Sequence, residues 1–133
     1  MYAFANGDAF IVETTARELA VRDGPGAHTN HYTDARLAAL GPEPAAGSLA
    51  RLARLRELLE TQRPSTVAEV MGILRDHGST PQAICLHPDP KEGEEASAVL
   101  FSMVADLEEG RMWVAPGNPC ETEYEEVDLT GVL

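Results

Sequence analysis

The sequence predicts an α+β chain, antiparallel strands with two central helices. Three observations carry that prediction. Strand-like apolar runs at 9–16 and 19–21 come first, two stretches of helical periodicity occupy 48–78, and strand signals return after Pro81. At 133 residues the chain has the size of one domain, and its 44% apolar content is enough for a core.

The elements follow in order. Asn6-Gly7 is the favoured dipeptide of a two-residue hairpin turn. It leads into Ala9-Phe10-Ile11-Val12, which runs on to Ala16, and Leu19-Ala20-Val21 reads as a further short strand. Gly24-Pro25-Gly26 breaks the chain, and His28 to Tyr32 follows as a polar extended or loop segment. Ser48 is a candidate N-cap for a helix carrying Leu49, Leu52, Leu55 and Leu59, with Arg51 and Arg54 adjacent at i, i+3. After Pro64, Thr66 and Glu69 form a capping box, and Val67, Val70, Met71 and Leu74 mark a second helix ending near Gly78. Residues 82–86 read as a short strand and 97–107 as a long one. Glu108-Glu109-Gly110 turns the latter into 111–115, and 123–129 alternates as an edge strand.

Charge narrows the partners. Twenty-two acidic residues against 10 basic give −12, which excludes nucleic acid and an anionic membrane surface. No apolar run approaches the roughly 20 residues of a membrane span, and the N-terminus lacks a signal-peptide pattern. Two cysteines, 35 positions apart, are too few for a disulfide scaffold, so a reducing cytoplasm is the expected location. Acid is concentrated late: 89–133 holds 12 acidic and 2 basic residues, 1–88 holds 10 and 8. Solvated acidic strand faces account for that run, with an acidic groove for a cationic substrate as the alternative.

Few residues carry a chemical signal. His28 and His31 stand three apart and Cys85 and His87 two apart, but neither makes the paired spacing of a zinc site. No metal and no cofactor are expected. Cys85 falls in a predicted strand, where a buried, inert thiol is the ordinary state; Cys120 follows a Pro-Gly-Asn-Pro turn and is expected to be more exposed. No phosphate loop, nucleophile elbow or dinucleotide fingerprint is present. The segment His28-Thr29-Asn30-His31-Tyr32 stands apart. An asparagine amide held by backbone after a Gly-Pro-Gly break is suited to donate to a developing oxyanion, or simply caps a turn.

The string HTNHY at 28–32 resembles the acyl-coenzyme A:6-aminopenicillanate (isopenicillin N) acyltransferase-like family, cysteine peptidase family 45. Ser48 to Leu55, Ile73 to His77, Ile84 to His87 and Trp113 to Cys120 continue the resemblance in the family's order. It implies a four-layer αββα N-terminal-nucleophile hydrolase fold and an enzyme that hydrolyses amides or transfers acyl groups onto amines. Its nucleophile is a cysteine whose freed α-amino group serves as base. Asn30 matches the oxyanion asparagine and Arg51 an active-site arginine; Thr29, His31 and Tyr32 beside them are expected to bind substrate. Cys85 and Cys120 both match positions downstream of the nucleophile. The resemblance therefore implies that 1–133 is a single partial domain, the C-terminal portion of such an enzyme, inactive alone. Its expected partners are a small-molecule amide or acyl donor and the missing N-terminal portion. Bare apolar sheet surface should then leave the isolated chain oligomeric or poorly soluble. A non-catalytic binding module, or a degenerate paralogue, is the other reading.

Overall fold

The computed structural model describes residues 2–4, 6–79, 82–91 and 96–128. Its order is three strands, three helices, three strands: β1 (Tyr2–Ala3), β2 (Ala9–Thr14), β3 (Leu19–Asp23), α1 (Ala35–Ala38), α2 (Ala46–Gln62), α3 (Val67–Leu74), β4 (Phe101–Asp106), β5 (Arg111–Pro116) and β6 (Glu125–Asp128). The strands form two separate three-stranded antiparallel sheets, β1-β2-β3 and β4-β5-β6. The chain is thus mixed α and β with antiparallel sheets, as expected.

The first hairpin forms, though not through the two-residue turn that Asn6-Gly7 suggests. Tyr2 pairs with Phe10 and Ala3 with Ala9, so the loop spans 4–8 and is closed by Phe4 N–H to Asp8 O at 2.9 Å. Gly7 takes a positive φ, 89°, but Asn6 does not, whereas a type I′ turn needs both. β2 buries Ile11 and Glu13 on one face. A carboxylate buried at a strand position that should be apolar is the first sign of a built feature.

α2 starts three residues earlier than the sequence suggests, with Ala45 as N-cap and no side-chain cap bond. Ser48 lies inside the first turn, 2% exposed, and its hydroxyl is used elsewhere. Leu52 and Leu58 are the buried leucines, each worth about 2 kcal/mol of apolar burial, while Leu49 stays 47% exposed. Pro64 disfavours right-handed helix at Arg63, which turns left-handed at φ 46° and ends α2. α3 begins on the expected box: Thr66 Oγ1 accepts from Glu69 N–H, and Glu69 accepts from Thr66 N–H. It stops at Leu74, short of Gly78.

Residues 82–86 are not a strand. Gln82 to Leu86 run as irregular chain, tied by Cys85 N–H to Asp76 O at 3.1 Å. The late hairpin forms with its first strand shorter than expected, Phe101 to Asp106 paired against Pro116 to Arg111 while 97–100 are not strand, and β6 is a fully exposed acidic edge. Ser102 and Val104 of β4 are buried, while Phe101 (62%) and Met103 (52%) on its other face lie open. The expected end of that edge strand at 129 lies outside the described residues. No helix among the described residues is long and apolar enough to cross a membrane.

Candidate functional site

The segment 28–34 is a loop gripped from two sides. On one side stands Glu13. Its carboxylate accepts from Thr33 N–H (2.9 Å), Asp34 N–H (3.0 Å), the Thr33 hydroxyl and His28 Nε2 (3.1 Å). Burial would raise its pKa, but the Thr33 hydroxyl, the Asp34 and Thr33 amides and His28 outweigh it and hold Glu13 below the usual carboxylate range. The charge is therefore kept where a single side chain can fix three residues of loop. Asp34 then caps the short α1 through Arg36 and Leu37 N–H.

On the other side stands the first turn of α2. Thr29 Oγ1 donates to Ser48 O at 3.0 Å, and His31 Nδ1 meets Ser48 Oγ at 2.8 Å. Thr29 Oγ1 also lies 3.1 Å from Ser48 Oγ and 3.2 Å from His31 Nδ1, which closes a three-residue polar knot. Thr29 and His31 thus face inward to the helix and carry the loop. Tyr32 is anchored by its hydroxyl, which donates to Thr14 O at 3.0 Å.

Asn30 is the loop residue these anchors leave outward. Arg51 Nη2 donates to its Oδ1 at 3.2 Å. A guanidinium has no acceptor, so this bond assigns the amide: oxygen to Arg51, NH2 group turned away. Asn30, His31 and Tyr32 line a cavity of about 570 Å³ together with Glu13, His28 and Pro44. Thr29 does not line it. Arg51 lines a second cavity of about 580 Å³, walled by Ser48, Gln82, Cys85 and His87. The structure therefore joins Asn30 and Arg51 by a hydrogen bond and sets them at the meeting of two cavities.

Both cysteines lie far along the chain from this loop. Cys85 is fully buried, as expected, though in a loop and not a strand; Cys120 is exposed. Partial desolvation and the neighbouring Cys85 thiol push the Cys120 thiol above its ordinary value, the reverse of activation. His77, Cys85, His87 and Cys120 bring one donor atom each within 4.8 Å of one another. Sequence spacing missed this group because its members come from three segments. Glu13 was missed too; the only signal was an acid at an inward strand position.

These features define an α+β protein with an oriented side-chain amide at a cleft. The chain belongs to the acyl-coenzyme A:6-aminopenicillanic acid acyl-transferase family, whose model matches residues 2–121. No curated protein matches it.

Proposed function

We propose that this chain supplies the oxyanion donor and part of the substrate cleft of a cysteine-nucleophile acyltransferase or amidohydrolase. The attacking cysteine comes from a preceding portion of the same enzyme, joined or separate, which completes a four-layer αββα arrangement. The single observation that carries the reading is the Arg51–Asn30 bond.

The chemistry follows from it. A thiol, relieved of its proton by its own α-amino group, attacks the carbonyl carbon of a small amide or acyl donor, and the carbonyl oxygen gains negative charge. Asn30 Nδ2 donates to that oxygen. Arg51 holds Oδ1, keeps the NH2 group aimed, and adds positive charge nearby. The tetrahedral species collapses as the leaving amine takes the proton, leaving an acyl thioester that water or an amine then attacks. His31 and Tyr32 form part of the cleft wall, and Thr29 acts through Ser48 to hold the loop.

Two further observations support it. Cys85 is fully buried and the Cys120 thiol is pushed above its ordinary value, so neither is set up to attack. The open face of β4, with Phe101 and Met103, is what a second stacked sheet would cover.

The test is the assembled enzyme carrying Asn30→Ala. Turnover should fall about 10²–10³-fold with little change in substrate binding, and Asn30→Asp should do no better, since a carboxylate repels the forming anion. Wild-type turnover by the alanine variant would overturn the role. The chain alone should release no more product from activated esters or amides than its Cys85→Ser, Cys120→Ser double variant.

A further inference from the structure

We propose that His77, Cys85, His87 and Cys120 form a structural zinc site, independent of the amide chemistry above. Four of the six donor–donor distances approach the edges of a tetrahedron, and the two from His77 to the thiols are within 4.8 Å. With Zn–S and Zn–N bonds of ordinary length, the tetrahedral edges are about 3.8 Å (S–S), about 3.4 Å (N–N) and about 3.6 Å (S–N). Cys85 Sγ and Cys120 Sγ stand 3.5 Å apart, and His77 Nε2 and His87 Nε2 stand 3.1 Å apart. His87 Nε2 lies 3.8 Å from Cys85 Sγ and 3.1 Å from Cys120 Sγ. Each distance falls within about half an ångström of the edge it would span. Two thiolates and two neutral imidazoles are a donor set that suits zinc and does not suit magnesium or calcium.

The surroundings are those of ligands held in place. Glu121 Oε1 lies 3.6 Å from His87 Nδ1, the ring nitrogen that points away from the cluster, and so favours the tautomer that leaves Nε2 its lone pair. Asn118 Nδ2 approaches Cys85 Sγ at 3.5 Å and donates to Leu86 O at 2.9 Å. The three contributing segments are fastened by bonds outside the cluster: Cys85 N–H to Asp76 O, and Arg75 Nε to Pro119 O at 2.8 Å. Four protein donors complete the coordination, so the ion would staple the loops and leave no position for substrate. On binding, the two thiols release their protons, and their two negative charges neutralise the ion.

The experiment uses the whole chain, purified under reducing conditions. It should bind one zinc ion per chain in competition with a chromophoric chelator. Cobalt in its place should give the intense visible absorption of a tetrahedral thiolate complex. Cys120→Ser and His77→Ala, both at exposed positions, should each lose more than the about 10–100-fold in affinity that an outer-shell change costs, and Glu121→Gln about 10-fold. Circular dichroism of the metal-free variants against the metal-free parent separates a lost ligand from a lost fold. Absence of stoichiometric binding, cobalt absorption unchanged in both ligand variants, or a Cys85–Cys120 disulfide found in place of metal would each overturn the site.

Discussion

The two loop clusters of this chain are built differently. The 28–34 loop is one continuous segment gripped by polar side chains, Glu13 from β2 and Ser48 from α2. The cluster around Cys85 draws on three segments and is fastened mainly through backbone carbonyls, those of Asp76, Leu86 and Pro119. A gripped segment leaves one residue, Asn30, turned outward and held by Arg51. A three-way junction turns its side chains inward on one another. The first is a way to present a group, the second a way to close one off.

Acid should blur that contrast most. Glu13 grips the first loop and Asp76, paired with Arg54 Nε and Nη2 at 2.9 and 2.8 Å, anchors the second. The Arg54 hydrogen bonds hold Asp76 low against the opposing effect of burial, as the Thr33 hydroxyl and the loop amides hold Glu13 low. Both folded pKa values lie below the unfolded ones. Their stabilisation is therefore fully present above the ordinary carboxylate range and is lost as pH falls through the depressed values. Denaturant midpoints measured with chelator present should hold between pH 7 and 5 and drop steeply toward 3. A flat profile would mean that neither carboxylate carries its loop.

Glu13→Ala comes next. It strips two amides and a hydroxyl of a buried charged acceptor and should cost about 3 kcal/mol, read as a lower urea midpoint at unchanged slope. The cobalt spectrum of the Cys85 cluster should survive it. If that spectrum disappears in a folded variant, the two regions are one unit and the comparison fails. Asp76→Asn is smaller, about 1–2 kcal/mol, because its pair with Arg54 is partly solvated. It should weaken metal affinity and leave the 28–34 loop unchanged. Smallest is Thr66→Ala, about 1 kcal/mol from the lost cap of α3, with neither cluster altered.

The contrast also explains what could be read in advance. Asn30 and Arg51 could be singled out as candidates because HTNHY is contiguous and the 48–55 block resembles the family's helix; that the two meet could not be read. Ser48 itself looked like a cap, since its type fits and nothing local says that its hydroxyl belongs to His31. The helices at 46–62 and 67–74 and the β4–β5 hairpin were legible from local periodicity and turns. Residues 82–86 looked like a strand because Ala83, Cys85 and their neighbours are apolar. They are buried by packing, without a strand partner. Glu13 and the four-residue cluster were hidden, since each depends on which segments meet, and spacing along one strand or loop does not encode that.

One property of α2 reaches further than any single contact. Ser48, Arg51 and Arg54 recur every third residue, and each engages a different residue: His31 and Asn30 in the 28–34 loop, and Asp76 after α3. A rigid helix rises about 1.5 Å and turns about 100° per residue, so these three attachments are graduations on one ruler. Letters on the ruler can be exchanged at local cost, but its markings cannot be shifted. Inserting or deleting one residue between Ser48 and Arg54 would swing Arg54 about a quarter turn from Asp76 while Ser48 kept its place. Variation in length should therefore be tolerated in the 4–8 loop and rejected here, even by residues that favour helix as well as those present.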